Sequence, residues 1–102
     1  MSEKQNWRNS REYRFWRVSV IRRDGYCKSC GTRTARHAHH IKSASYYPEL
    51  RFDISNGVTL CRKCHSTLHN VLVGGYRKKC TEKHYETFLE LRDFWKEKKH
   101  VI

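Results

Sequence analysis

Cys61-Arg62-Lys63-Cys64-His65-Ser66-Thr67-Leu68-His69 packs a Cys-x-x-Cys pair and two histidines into one short run, and Cys27-Lys28-Ser29-Cys30 supplies a matching pair upstream. Four thiolates complete a tetrahedral structural zinc site and leave the histidines free for other work. Gly31, directly after the first pair, permits the tight turn in which backbone amides face thiolate sulfurs. The thirty residues between Cys30 and Cys61 exceed the usual finger gap, so a substructure must bulge out from the staple. Cys80 stands apart from both pairs and reads as a small buried residue rather than a further ligand.

Within that gap, Arg36-His37-Ala38-His39-His40-Ile41 reads as a short strand and Asn56-Gly57-Val58-Thr59-Leu60 as a turn leading into a second. A hairpin with a long connection follows, and the connecting segment Ser43 to Asp53, with Tyr46-Tyr47-Pro48, suits either a substrate-contacting flap or a packed loop. Cys64 to His69 reads as helical, which sets His65 and His69 one turn apart on one face, a spacing at which both can bind one cation. His37, His84 and His100 lack partners at metal spacing and receive no role.

The flanks read as helices. Asn9-Ser10-Arg11-Glu12 signals a start, with Asn9 as cap and Glu12 reaching back, and Asp24-Gly25 signals a stop, giving a helix over 9–24. Tyr13, Trp16 and Val20 form its packing stripe, while the interleaved Arg14, Arg17, Arg22 and Arg23 offer a face to phosphate. A second helix over 81–99 carries Tyr85, Phe88, Leu89, Leu91, Phe94 and Trp95 among balanced Glu and Lys. With no repeats or Pro/Gly linkers, residues 1–102 read as one α+β domain whose centre is the zinc-stapled segment 26–70.

Composition narrows the partners. Of 102 residues only 37% are hydrophobic and 31% are charged, a small core that needs a staple. The net charge of +12 is uneven: residues 1–26 carry +4, residues 27–80 carry +8 and residues 81–102 carry none. A basic surface concentrated around two metal-type clusters favours nucleic acid, and the aromatics leave single-strand stacking open. Five cysteines, an odd number, and no apolar run suited to a signal peptide or membrane span place the chain in a reducing, intracellular setting without membrane contact.

The residues resemble the HNH endonuclease family, whose ββα-metal finger brings a histidine on the first strand, a central asparagine and a helical histidine around one divalent ion. The corresponding positions are His40, Asn56 and His65, and the likeness spans roughly residues 15–70. It is strongest to the zinc-ribbon branch, in which two Cys-x-x-Cys pairs bracket the hairpin, and the His39-His40 and His65/His69 pairs are shared with colicin-type DNases. The resemblance implies that His40 is the general base, that Asn56 orients it, and that His39, His65 and His69 hold the ion that stabilises the leaving 3′ oxygen. It further implies hydrolysis of DNA, mainly duplex, to 5′-phosphate and 3′-hydroxyl ends, by nicking or double-strand cleavage with low sequence specificity. Adjacent residues on a regular strand face opposite ways, so the roles of His39 and His40 exchange if the strand is distorted. An all-imidazole site prefers Mn²⁺, Ni²⁺, Co²⁺ or Zn²⁺ to Mg²⁺. Arg33, Arg36, Lys42, Arg62 and Lys63 stand beside this site as phosphate contacts.

Small proteins of this kind resemble those of bacteriophages and mobile elements, which implies a bacterial host cytoplasm and a packaging or recombination partner protein. Two other readings compete. A non-catalytic zinc-containing DNA-binding module would have no need of His39, His40, Asn56, His65 and His69 together. A cross-braced protein-interaction domain would need a second Cys/His site that these positions do not supply.

Overall fold

The computed structural model describes residues 7–75 and 78–101, with side chains as far as Leu91. The order is helix α1 (Arg11–Asp24), strand β1 (Arg36–His40), strand β2 (Gly57–Cys61), helix α2 (Arg62–Thr67) and helix α3 (Glu82–Val101). Single 3-10 turns precede α1 and occupy the connection between the strands, and α2 runs on into a π-helical segment, Leu68–Val73. This is a small α+β fold with a two-stranded antiparallel sheet. The side chains of Phe94, Trp95 and His100 lie outside the described residues. Among the described residues no helix is long and apolar enough to cross a membrane.

Helix α1 begins with Ser10 as its cap, not Asn9: the Ser10 hydroxyl accepts from the Tyr13 amide at 3.1 Å, and the Asn9 backbone is part of the preceding turn. Its end is the Gly25 stop, left-handed at φ 76°, with the Gly25 amide donating to the Ile21 carbonyl. Trp16 and Val20 are fully buried from this helix. Arg23 is consumed internally, donating to Asp24 and to the carbonyls of Ile54 and Gly57, so it belongs to the packing rather than to the phosphate-facing arginines.

The register pairs Arg36 with Cys61, Ala38 with Thr59, His39 with Val58 and His40 with Gly57. Every residue of β2 is buried because helices cover both its faces. Val58 and Leu60 look toward Leu68 and Phe88, forming a core with Cys27 and Cys61. On the other face Thr59 meets α1, its hydroxyl on the Val20 carbonyl and its amide donating to Asp24 Oδ2 at 2.8 Å. Burial alone would raise the Asp24 carboxyl, yet the bonds from Arg23 and Thr59 outweigh it and hold its pKa below the usual value.

Gly57 departs from the turn that Asn56-Gly57 suggests. Its backbone is extended, φ −115°, a conformation open to any residue. Space, not conformation, demands the glycine: a Cβ there would run into Val20 Cγ2 and stand 2.8 Å from Trp16 Cζ2.

Candidate metal centres and active site

The first centre is built from two knuckles. Cys27 and Cys30 lie on the turn after α1, where Gly31 adopts φ 83° and the Cys30 amide points at Cys27 Sγ, 3.4 Å away. Cys61 closes β2 and caps α2, its sulfur accepting from the Cys64 amide at 3.5 Å. The four sulfurs lie within 4.8 Å of one another, with Cys30 and Cys61 at 3.7 Å. A tetrahedral zinc with Zn–S bonds near 2.3 Å spaces its sulfurs about 3.8 Å apart, so the donor set fits zinc. Ionisation within the four-cysteine cluster is uneven. Burial opposes charge on Cys27, but backbone hydrogen bonds bring its thiol down to about 7, whereas burial and then its sulfur neighbours push Cys64 well up. A dication at the centre would remove that conflict by stabilising every thiolate together. These four cysteines therefore form a structural metal site whose chemistry suits zinc.

The second centre uses imidazoles. Strand β1 turns His39 toward α2, where His65 lies, and His69 follows on the π-helical segment. The His39 ring stands 5.1 Å from each of the other two, and His65 and His69 are 4.7 Å apart between ring centres. One donor nitrogen from each lies within 4.8 Å of the others. Burial, and then mutual repulsion of the rings, lowers His39 far below the usual imidazole value and brings His65 to about 4. Neutral imidazoles are the form that ligates a metal. Cys80, buried as expected, places its sulfur 3.8 Å from His39 Nε2.

His40 takes the opposite face of the strand. Its ring lies flat on Trp16, 3.9 Å between centres and 5° from parallel, with Trp7 and Tyr13 at 5.8 and 6.3 Å. Its Nε2 stands 2.9 Å from the Arg51 carbonyl. A carbonyl only accepts, so Nε2 carries the proton and Nδ1 holds the lone pair. Burial first, with Arg8 and Arg51 adding to it, lowers this histidine to about 4, so near neutrality it is uncharged and able to take a proton. The two faces meet at the end of the strand, where a cavity of ≈ 590 Å³ is lined by His39, His40, His65 and His69 together with Trp7, Tyr13 and Lys78.

Asn56 is buried behind this cavity. Its Oδ1 accepts from the Lys42 amide at 2.9 Å and its Nδ2 donates to the carbonyls of Lys42 and Leu50. The side chain thus extends the ladder one step past His40 and fixes the turn that presents the Arg51 carbonyl. The tautomer of His40 is set by that carbonyl, with Asn56 acting one residue removed.

Of the basic residues, Arg62 and Lys63 are exposed on the first turn of α2, and the Lys42 ammonium lies 5.8 Å over the Tyr47 ring. Arg33 and Arg36 stand apart from the imidazoles, lining a separate cleft with Arg17 and Arg22. The aromatic enclosure of His40 is invisible in sequence periodicity, because Trp16 sits on the packing stripe of α1 and Trp7 outside any helix. Arg51 likewise contributes a backbone atom, which residue identity does not signal.

Residues 25–71 match the model of the HNH endonuclease family, a segment that contains both knuckles, the hairpin and α2. Comparison with curated proteins and with solved structures gives no significant match.

Proposed function

We propose, from the match of residues 25–71 to the HNH endonuclease family model, that the protein is a metal-dependent endonuclease that hydrolyses phosphodiester bonds of duplex DNA, nicking it with low sequence specificity. The observation that carries this reading is the sorting of two adjacent histidines: His39 joins His65 and His69 in a donor set, while His40, held by Trp16 and the Arg51 carbonyl, lines the same cavity.

His40 removes the proton of the attacking water at Nδ1, and its contact with the Arg51 carbonyl strengthens as the ring becomes charged. Trp16 and Asn56 act as positioning residues, one through the ring face and the other through the loop. His39, His65 and His69 would hold a divalent cation, which when bound would supply charge stabilisation at the scissile phosphate and the leaving 3′ oxygen. Three imidazoles suit Mn²⁺, Ni²⁺, Co²⁺ or Zn²⁺ better than Mg²⁺. Zinc at Cys27, Cys30, Cys61 and Cys64 holds the hairpin against α2. Arg62, Lys63 and Lys42 contact flanking phosphates.

Supercoiled-plasmid cleavage by wild type and His40→Ala, with each metal added separately after mild chelation, tests the proposal. Metal-dependent nicking lost in the variant is expected. DNA binding without cleavage under every metal would leave a zinc-containing DNA-binding module in its place.

A further inference from the structure

A second cavity, ≈ 640 Å³, opens between the C-terminal half of α1 and the segment leading into β1. Four arginines line it, Arg17 and Arg22 from the helix and Arg33 and Arg36 from the segment, and no carboxylate does. All four are exposed, and among the described residues the ion pair present is Arg23–Asp24, which involves none of them. Arg23 spends its guanidinium on Asp24 and two carbonyls and Arg36 gives one nitrogen to the Gly25 carbonyl at 2.9 Å, while Arg17 and Arg22 line the cleft with Arg33 and Arg36. Four like charges converging on one concavity repel one another unless an anion lies among them. Guanidinium forks match phosphate oxygens in geometry as well as charge.

The cleft and the cavity of His40 are joined by strand β1. Arg36 and His40 occupy the same face of β1, four residues apart. An extended strand rises about 3.3 Å per residue, so roughly 13 Å separates them. One strand of duplex DNA places a phosphate about every 3.4 Å along the helix axis, so for a duplex lying along β1 that span is about four base-pair steps. We propose that this cleft seats backbone phosphates of the bound duplex about four steps to one side of the bond that His40 addresses. The proposal rests on the nuclease reading for its reference point, and on the arginine geometry for the seat itself. Its role is to fix which side of the duplex lies along α1, since phosphate contacts set register and orientation without reading sequence.

The test uses the full chain carrying His40→Ala, so that DNA stays intact, and measures its binding to a short duplex between about 50 and 200 mM salt. Arg17→Ala/Arg22→Ala in that background is expected to weaken binding roughly tenfold or more and to lower the salt slope by about two units, near 0.9 per phosphate. Arg17→Lys/Arg22→Lys should restore most of the slope, since charge is kept. Circular dichroism and metal content of both double variants should match the parent, because these side chains are exposed. In the catalytically intact chain, nicks mapped on an end-labelled duplex should thin out within about four steps of one end, and the double alanine variant should lose that asymmetry. A salt slope unchanged by the alanines, or an end asymmetry that persists with them, overturns the proposal. A protein that binds with an arginine-dependent slope yet never cuts would sink the nuclease reading and leave the cleft as a seat for DNA.

Discussion

The cysteine cluster and the histidine cluster share helix α2, but the first adds the end of β2 and the turn after α1 while the second adds β1, and one is closed where the other is open. Cys61 ends β2 and Cys64 stands on α2, and their amides and those of the first knuckle turn inward onto sulfur. His65 and His69, on α2 and the segment that continues it, face a cavity with His39 and His40. Four anionic donors satisfy a dication and leave no position for substrate, whereas three neutral donors leave both charge and coordination incomplete. On the proposed reading, the difference teaches that holding and acting are separated by donor type within one turn of helix.

The comparison breaks most completely through the closed site. Cys61→Ser removes a sulfur and weakens the cap of α2 together, so the chain is expected to lose cooperative folding, read as loss of helical circular dichroism and of bound zinc. A strong chelator should reach the same end more slowly. His40→Ala acts on the other side only: cleavage should fall by roughly 10²–10⁴-fold, while zinc content and circular dichroism stay at wild-type values. If both variants lost structure equally, the division between the two centres would be wrong. A smaller effect sharpens the open site, where Mn²⁺ or Ni²⁺ should support faster nicking than Mg²⁺, and the fastest rate with Mg²⁺ would count against His39 and His69 as ligands. Gly57→Ala should cost about 1–3 kcal/mol by overpacking against Val20 and Trp16, seen as a lowered thermal midpoint with zinc retained. Smallest, Trp16→Phe keeps a ring against His40 but loses the indole donor to the Asp53 carbonyl at 2.8 Å. It should lower kcat roughly tenfold with KM little changed, because a base held less firmly is misaligned.

Both clusters of candidate ligands are legible in sequence because short-range spacing encodes them. A Cys-x-x-Cys pair needs only a tight turn, and His65 and His69 need only helical rise, so local geometry carries the chemistry. The helical flanks are legible for the same reason, with an error of one residue at the cap, where two adjacent residues, Asn9 and Ser10, both have capping side chains. What surrounds His40 is not legible. Trp16 approaches it from 24 positions upstream, and the Arg51 carbonyl from a loop whose path no periodicity describes. Asn56-Gly57 misleads in an instructive way: the dipeptide carries turn chemistry, but tertiary contact with α1 decides what the glycine is for. The arginines were visible individually, yet only the fold divides Arg23, used in packing, from Arg17 and Arg22, left to a cleft.

Strand β1 has a mechanical consequence. His39 and His40 are joined by one peptide unit, and their α-carbons are therefore held at about 3.8 Å whatever the surrounding loops do. The proposed ligand and the proposed base therefore ride on the same rigid backbone, one on each side of a single pleat. No hinge closure is required to bring them within reach, so turnover should be insensitive to solvent viscosity wherever chemistry limits the rate. The same rigidity makes the strand intolerant of slippage: a shift of one residue would exchange the two faces, sending His39 toward the indole and His40 toward the other imidazoles, and undo both arrangements at once.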